Sequence, residues 1–286
     1  MDNSKYKFVF FGTPDLSVHV LNALEANGFL PAVVVTAPDR PRGRGNVVSP
    51  SPVAAWAVER GIETLKPETL KDPAALAELT NTEWDFFVVA MYNKILPSYV
   101  LKMPKRGCIN VHPSLLPKFR GPSPVLSAIL ADERTTGVSI MLLDAEMDHG
   151  PVLAQARIEI EPEDWPMRGS QLEELLSTEG GNLLAETIPQ WVEGTVTPEE
   201  QNHAEATYTK KFEKTEALID LTNDAHANLL KIRAFDKSPR AYFIDARGTR
   251  VIITDAEQAE DGALTILSVI PEGRGEISYE EYTRNL

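Results

Sequence analysis

Short runs of consecutive apolar residues constrain the fold of this chain more than any other feature of its sequence. Strands buried on both faces of a parallel sheet have this pattern, whereas strands with one face in water alternate apolar and polar residues. Helix starts follow several of the runs, with a proline after a capping residue, as in Thr13-Pro14 and Ser51-Pro52. The runs lie at residues 7–12, 32–36, 84–92, 107–112 and 138–143. Their alternation with helices predicts an α/β fold with a doubly wound, mostly parallel sheet.

The remainder of the chain predicts a second, smaller domain. The elements expected after residue 150 are an edge strand at 151–160, helices near 171–176 and 183–192, and strands at 250–254 and 263–267. Residues 194–206 are rich in threonine, glutamate and proline, which is the composition of a linker. We therefore expect a large α/β domain over 1–193, a linker over 194–206 and a small mostly-β domain over 207–286.

Composition excludes several classes of protein. No apolar run among the 286 residues reaches the length of a membrane span, and residues 1–5 are not a signal peptide. The single cysteine, Cys108, excludes an internal disulfide and fits a cytoplasmic protein. It lies in an apolar run and is expected to be buried rather than nucleophilic. The five histidines have no metal-ligand spacing, so we predict no metal site; they are His19, His112, His149, His203 and His226.

Charge is unevenly distributed along the chain. The net charge of −14 argues against indiscriminate binding to nucleic acid. Residues 151–200 carry two basic and eleven acidic side chains, whereas residues 201–250 carry nine basic and seven acidic ones. The second segment can face a polyanion, although an ordinary solvated surface explains its composition as well.

The run at 107–112 carries the most informative polar pair. Asn110 and His112 are two residues apart on a predicted strand, so their side chains point to the same side. An amide that donates to an oxyanion, beside an imidazole that moves a proton, suits acyl-transfer chemistry. Asp148, from the acidic stretch at 144–150, is the candidate that orients the imidazole, and Asp144 and Glu146 compete for this role on spacing alone. The structural alternative is a histidine that caps the loop backbone.

A second candidate site is the loop at residues 38–45. It carries Arg40, Arg42 and Arg44 among glycines and prolines. Arginine forks match phosphate oxygens and glycine allows close approach, so the loop fits a phosphate-binding segment, with a flexible surface loop as the alternative. Neither the dinucleotide fingerprint G-x-G-x-x-G nor a phosphate-binding G-x-x-x-x-G-K-[ST] occurs, which argues against a nicotinamide oxidoreductase and a P-loop enzyme.

These motifs together resemble the folate-dependent formyltransferases, and the resemblance covers nearly the whole chain. The matching stretches are Phe11–Pro14, Pro38–Pro41 with Gly43–Gly45, Ser49–Val53, Gly107–Pro117 with Arg120-Gly121, Gly137–Met141 and Asp148–Gly150. The Asn-x-His and Asp-x-Gly set is shared by enzymes that take a formyl group from 10-formyltetrahydrofolate, so it indicates the chemistry but not the acceptor. The arginine loop and matches after the linker, including Ala206–Tyr208, resemble the branch that acts on tRNA.

The resemblance implies a Rossmann-like formyltransferase domain followed by an OB-like domain of a tRNA-binding type. The amine of methionine on initiator tRNA would attack the formyl carbon, with Asn110 stabilising the oxyanion and His112, held by Asp148, assisting proton removal. The implied folate contacts are Met91, Tyr92, Ser114, Leu115, Leu116 and Pro117, and the implied tRNA contacts are Arg42 and Arg44. The implied partners are the folate and the tRNA, with no membrane and with the chain acting as a monomer.

Two other functions remain open at this point. An amino sugar on a nucleotide is a different acceptor that an acidic surface accommodates more easily. A non-catalytic folate- or RNA-binding module is an alternative of another class, although such a module has no need of Asn110, His112 and Asp148 together. The arginine loop continues into Gly45-Asn46-Val47-Val48 instead of lysines, and the last domain is short for the family, so fewer phosphate contacts predict weaker tRNA binding.

Overall fold

A computed structural model describes residues 5–42, 45 and 47–284, with the backbone alone at residue 42. These residues form two compact units, each built from three segments of the chain. The first unit comprises the residues up to Arg120, Gly137–Arg157 and Glu174–Thr207. The second comprises Gly121–Thr136, Ile158–Glu173 and the chain from Tyr208 onward. The predicted division at residues 193 and 207 thus stays a proposal about which part folds alone.

The strands of the described residues fall into three sheets. A seven-stranded sheet contains β1 (Phe8–Phe11), β2 (Val33–Val35), β5 (Glu63–Leu65), β6 (Phe86–Val89), β7 (Cys108–His112), β8 (Thr135–Leu142) and β9 (Val152–Glu159). A two-stranded sheet contains β3 (Arg40–Arg42) and β4 (Val47–Ser49). A four-stranded sheet contains β10 (Tyr242–Ile244), β11 (Arg250–Gln258), β12 (Leu264–Pro271) and β13 (Ile277–Ser278).

The large sheet has the strand order β5-β2-β1-β6-β7-β8-β9. Its first five strands are parallel, and β8 pairs antiparallel with β7. The chain runs outward from β1 to β2 and β5, and then returns to β6 on the other side of β1. The strand order therefore reverses between β1 and β6, and crevices at such reversals, beyond the carboxyl ends of the strands, are where ligands bind in open α/β sheets.

Eight α-helices lie among the described residues. They are α1 (Asp15–Ala26), α2 (Pro52–Glu59), α3 (Ala77–Thr80), α4 (Ser98–Leu101), α5 (Pro124–Leu130), α6 (Gly169–Glu193), α7 (Ala225–Ala234) and α8 (Tyr279–Arg284). No helix among the described residues is long and apolar enough to cross a membrane. Helix α2 begins as predicted, because the Ser51 side chain accepts a hydrogen bond from the backbone of Ala54 at 3.0 Å.

One prediction about the helices is wrong. The two helices expected near 171–176 and 183–192 form the single helix α6. Two glycines that weaken a helix in isolation lie where α6 packs most closely on its neighbours. A Cβ atom at Gly180 would lie 2.5 Å from Cγ1 of Val111, and one at Gly181 would lie 2.6 Å from Cβ of Ala23. Close packing against β7 and α1 therefore explains both glycines and the continuity of the helix.

Alternate residues of the parallel strands fill the core on one face of the large sheet. Val9, Phe11, Phe87, Val89 and Cys108 are among the members of this buried cluster. The rings of Phe11 and Phe87 on adjacent strands lie 5.4 Å apart, a distance at which aromatic pairs add to the stability from apolar burial. Both faces of these strands are buried, which confirms the doubly wound α/β fold. The small antiparallel sheet β10–β13 confirms the predicted mostly-β region near the carboxyl end.

Candidate active site

Strand β7 presents Asn110 and His112 on the same face. Both side chains are buried, with His112 4% exposed and Asn110 9% exposed. The register with the neighbouring strands gives their position along β7. Asn110 pairs with Val89, the last residue of β6, and His112 pairs with Ser139 of β8. The pair therefore lies at the carboxyl end of β7, next to the carboxyl end of β6.

Asp148 reaches this pair from a loop that folds back along β7. Because β8 is antiparallel, its last residue, Leu142, lies opposite Ile109, near the start of β7. The following loop returns toward the other end of the strand, where Oδ2 of Asp148 lies 3.7 Å from Nδ1 of His112. Asp144 instead accepts a 2.7 Å hydrogen bond from the His149 ring, and Glu146 is exposed. Among the three acidic candidates the geometry thus selects Asp148.

The second ring nitrogen of His112 has its own acceptor. Nε2 lies 3.1 Å from the backbone oxygen of Phe119, and a carbonyl oxygen only accepts, so Nε2 carries the hydrogen of this contact. Both ring nitrogens therefore face oxygen atoms, one of the Asp148 carboxylate and one of the Phe119 backbone carbonyl. The alternative role of this histidine, capping the loop backbone, corresponds to the contact with Phe119. This contact uses only one of the two ring nitrogens.

The side-chain amide of Asn110 is available to a ligand. Among the described residues no hydrogen bond to this amide is found, although the residue is nine-tenths buried. The amide keeps some solvent exposure, so water can hydrogen-bond to it until another molecule binds. An amide held beside a histidine in this way is suited to donating a hydrogen bond to an oxygen of a bound molecule.

Met91 and Tyr92 follow β6 at the strand-order reversal. Met91 adopts a left-handed backbone conformation with φ of 50°, which is uncommon for a residue with a side chain. The Tyr92 ring packs into the core against Phe11 at 5.5 Å, and burial raises the pKa of its hydroxyl to about 12. Because the Tyr92 side chain packs in the core, the Tyr92 backbone can contact a ligand at this turn but the Tyr92 ring cannot.

The turn after β7 is held in place by Ser139 of β8. The Ser139 hydroxyl donates to the backbone oxygen of Ser114 at 2.6 Å and accepts from the backbone N–H of Leu116 at 3.0 Å. The Ser114 hydroxyl itself donates to the backbone oxygen of Lys118 at 2.7 Å. Leu115 is half-buried and Pro117 is partly exposed. The stretch 114–117 is thus a fixed turn that directly follows His112.

The predicted arginine loop contains a β-hairpin at its base. Strands β3 and β4 pair antiparallel, with Arg42 opposite Val47, and Arg44 lies outside the described residues. Ion pairs anchor the hairpin to the segment after β5, from Asp39 to Lys66 at 2.6 Å and from Arg40 to Glu68 at 3.0 Å. The hairpin follows the carboxyl end of β2, which is the same edge of the sheet as the carboxyl ends of β6 and β7.

Sequence reasoning missed a set of buried contacts around Asp148. Gln201, in the predicted linker, donates through Nε2 to the backbone oxygens of Asp148 at 2.9 Å and Gly150 at 2.7 Å. Its Oε1 accepts from the guanidinium of Arg120, a residue that is 1% exposed. Arg120 also contacts Nδ1 of His203 at 2.9 Å. Nothing in the composition of residues 194–206 indicated these contacts, and only burial in the fold reveals them.

Two expectations about reactive groups can be compared with the structure. Cys108 is buried, and burial raises the pKa of its thiol to about 12, which opposes nucleophilic chemistry at pH 7. Among the described residues no cluster of three or more histidine, cysteine, aspartate or glutamate side chains is arranged to hold a metal ion. The absence of a metal site stays a prediction.

Comparison with known proteins places this geometry in a family. Residues 6–188 match the model of a family described as formyl transferase. A methionyl-tRNA formyltransferase from Chloroflexus aggregans is 43% identical over 82% of this chain and 75% of its own. One from Roseiflexus sp. strain RS-1 is 39% identical over 98% of this chain and 92% of its own.

Solved structures share the fold at lower identity. HypX from Aquifex aeolicus in complex with tetrahydrofolic acid has a TM-score of 0.68 and 18% identity, covering 98% of this chain and 47% of that one. A sugar N-formyltransferase from Shewanella has a TM-score of 0.65 and 18% identity, covering 87% of this chain and 96% of that one. At such identity the likeness concerns the fold alone.

The fold and the matched family model define the class, which is that of the formyl transferases. The sequence identity to the two relatives over most of the chain then indicates the branch of this class. This chain belongs to the methionyl-tRNA formyltransferase family.

Proposed function

We propose that this protein transfers the formyl group of 10-formyltetrahydrofolate to the α-amine of methionine on initiator tRNA. The observation that carries the proposal is the Asn110 amide, which has no hydrogen-bond partner among the described residues, beside a histidine whose two nitrogens face Asp148 and the Phe119 carbonyl. Acyl transfer needs a donor to the developing oxyanion and a group that handles the amine proton.

The reaction forms one bond and breaks one. The neutral amine attacks the formyl carbon, and the carbonyl oxygen gains negative charge as a tetrahedral intermediate forms. The bond from that carbon to N10 of the folate then breaks, which leaves formylmethionyl-tRNA and tetrahydrofolate. The proton lost by the amine nitrogen is balanced by the proton that N10 gains.

Each residue of the site has a role in this scheme. The Asn110 amide donates to the oxyanion, which matters most in the transition state. The His112 ring assists proton transfer and, when charged, polarises the carbonyl. The Asp148 carboxylate stabilises the imidazolium at the ion-pair distance of 3.7 Å. The backbone at Met91 and Tyr92 and the turn over 114–117 hold the folate, because both lie at the carboxyl ends of β6 and β7 beside the strand-order reversal.

The acceptor rests on the relatives and on the arginine hairpin. The Chloroflexus aggregans and Roseiflexus proteins are named methionyl-tRNA formyltransferases, and identity of 39% over 98% of the chain includes its carboxyl-terminal region. In this proposal Arg42 and Arg44 bind the phosphates of the tRNA acceptor stem. The fold itself favours no acceptor, because a sugar N-formyltransferase shares it at a TM-score of 0.65. We further propose that the protein acts as a monomer in the cytoplasm, whose reducing conditions fit a single cysteine.

A formyl-transfer assay tests the donor and the acceptor together. The protein is mixed with 10-formyltetrahydrofolate and, in separate reactions, with initiator methionyl-tRNA, with elongator methionyl-tRNA and with a panel of amino-sugar nucleotides. Formylation of the initiator methionyl-tRNA, with the sugars unchanged, is the expected result. Formylation of a sugar with the tRNA unchanged would contradict the proposed acceptor and leave the chemistry of the site intact. The absence of formyl transfer to any of these amines would favour a non-catalytic binding module.

A further inference from the structure

Residues 201–207, here called the strap, contact both residues that flank the His112 ring, Asp148 and Phe119. At one end, Gln201 donates to the backbone oxygens of Asp148 and Gly150 and so fixes the loop that carries the Asp148 carboxylate. At the other end, the Thr207 hydroxyl accepts a 2.8 Å hydrogen bond from the backbone N–H of Phe119. The Phe119 carbonyl is the acceptor of His112 Nε2. One short segment thus supports both flanks of the imidazole.

The two acceptor residues have unusual backbone conformations that need such support. Asp148 has φ of 48° and Phe119 has φ of 59°, and neither is a glycine. Left-handed conformations in residues with side chains persist where surrounding contacts fix them, and they cluster at functional sites. The strap supplies contacts to both residues, and it adds a pair of backbone hydrogen bonds, from Thr207 to Pro117 at 3.3 Å and from Arg120 to Thr207 at 2.9 Å.

Burial within the strap is selective. Gln201 is 7% exposed, whereas residues 202–205 that follow it are exposed. Both ends of the Gln201 amide are used, since Nε2 donates to the Asp148 loop and Oε1 accepts from the guanidinium of Arg120 at 2.6 Å. A buried amide with every polar atom engaged fixes its neighbours in one arrangement. Arg120 in turn is among the largest fully buried side chains of the protein.

We infer that the strap is a positioning element of the active site, in which Gln201 and Thr207 set the orientation of the His112 ring through Asp148 and Phe119. The inference deepens the proposed function and rests on it. Neither Gln201 nor Thr207 touches the reacting atoms in this account. Each acts through a group that His112 contacts, so the part of the chain that composition marks as a linker helps to assemble the catalytic geometry.

Two substitutions distinguish this positioning role from a general contribution to the stability of the fold. Gln201→Glu keeps an acceptor for Arg120 but replaces the donor to Asp148 and Gly150 by an oxygen that repels their carbonyls. Thr207→Val removes only the hydroxyl that holds Phe119 and keeps both backbone hydrogen bonds of residue 207. The matched controls are Gln171→Glu and Thr195→Val, at exposed positions outside the strap. Thr207→Ser restores a hydroxyl and serves as the rescue.

The experiment measures the full-length protein in two ways. Ring ¹⁵N chemical shifts of His112 report the hydrogen bonds at each nitrogen, and formyl-transfer kinetics report kcat and KM. We expect both strap variants to shift the His112 signals and to lower kcat by about 10- to 100-fold with little change in KM for the folate donor, because small misplacement of a catalytic group reduces the rate by such factors. The controls and Thr207→Ser should behave like the original protein.

Two results would overturn the inference. One is a wild-type kcat with unchanged His112 signals in both strap variants. The other is a loss of activity that tracks the loss of folded protein, with unchanged signals in the folded fraction. The ring signals do not depend on the acceptor, so a protein that fails to formylate methionyl-tRNA but shows the shifts refutes the proposed function and leaves the positioning role standing.

Discussion

Cys108, Asn110 and His112 occupy alternate positions of β7 and share one face of the strand. Cys108 belongs to the apolar core and has a thiol pKa raised to about 12 by burial, whereas Asn110 and His112 lie where that core gives way to polar groups. The alternation of a strand therefore places a structural residue and two functional ones in a row. At the residue scale, the role of a side chain depends on the groups that surround it in the fold, and residue type alone does not reveal those groups.

The sequence identified Asn110 and His112 because their spacing is local, but it left three carboxylates as partners for the histidine. Asp148 was separated from Asp144 and Glu146 only by tertiary structure, since the three lie in one loop. The contacts that Gln201, Arg120 and Thr207 make around the site had no local signal, although Arg120 and Thr207 lie in stretches that resemble the family. Their contacts join residues that are 51 to 88 positions apart in the chain, which periodicity and motif spacing do not reach.

Asp245, in the second unit, offers a test of stability at the residue scale. Its carboxylate accepts a 2.7 Å hydrogen bond from the Tyr282 hydroxyl and further bonds from the backbone N–H groups of Thr249 and Arg247, and these contacts lower its pKa to about 2. The charged form is favoured in the folded state, so its stabilising effect is present above the unfolded pKa of about 3.9 and is lost as the pH falls toward 2.

We expect Asp245→Asn to lower the melting temperature at pH 7, and we expect its difference from the original protein to shrink as the pH falls from 5 to 2. Thermal unfolding followed by circular dichroism across this pH range measures both effects. Asp164→Asn, at an exposed position, is the control and should change little. A difference that stays constant down to pH 2 would show that the Asp245 carboxylate is not the group responsible.

At the scale of elements, apolar runs predicted where strands lie but not the direction in which they pair. The run at 138–143 was consistent with a further parallel strand, because a strand buried on both faces has the same composition in either direction. The structure pairs β8 antiparallel with β7, and this direction is what makes the 144–150 loop fold back to bring Asp148 to His112. Strand direction depends on the path of the intervening chain, which composition does not encode.

The arginine hairpin is the element whose role is most open to direct test. Changing both Arg42 and Arg44 to alanine should raise KM for the tRNA and leave KM for the folate unchanged. It should also weaken the salt dependence of tRNA binding. The slope of log K against log salt concentration should fall by about one unit for each phosphate that an arginine no longer neutralises. Steady-state kinetics at several salt concentrations measure these quantities. The control is Arg106→Ala, an exposed arginine beside the amino end of β7, at the opposite edge of the sheet.

An unchanged KM for tRNA in the double variant would return the hairpin to the surface-loop alternative. An equal effect from Arg106→Ala would indicate a response to net charge instead of a specific contact.

At the scale of the whole molecule, the compact units do not coincide with contiguous stretches of sequence. Residues 121–136 and 158–173 belong to the second unit, and one of its ion pairs joins Asp132 to His226 at 3.0 Å. We nevertheless propose that residues 1–206 fold without the rest, because they contain every strand of the seven-stranded sheet and the core beneath it.

Truncation after residue 206 tests this proposal. The fragment should unfold cooperatively, at a lower temperature than the full chain, because α5 loses its partner α7 and exposes apolar surface. Differential scanning calorimetry and far-ultraviolet circular dichroism measure this. A fragment without a cooperative transition would refute the division of the chain at residues 193 and 207.

The proposed roles of Asn110, His112 and Asp148 in formyl transfer can be tested by single-turnover kinetics. We would measure the rate of transfer from 10-formyltetrahydrofolate to initiator methionyl-tRNA by the original protein, by Asn110→Ala and by Asp148→Ala. We expect both variants to fold as the original protein does. For Asn110→Ala we expect a rate about 10² to 10³ times lower, the usual effect of removing one oxyanion donor, and for Asp148→Ala a strong decrease as well. Near-normal rates in both variants would show that these residues do not perform the transfer.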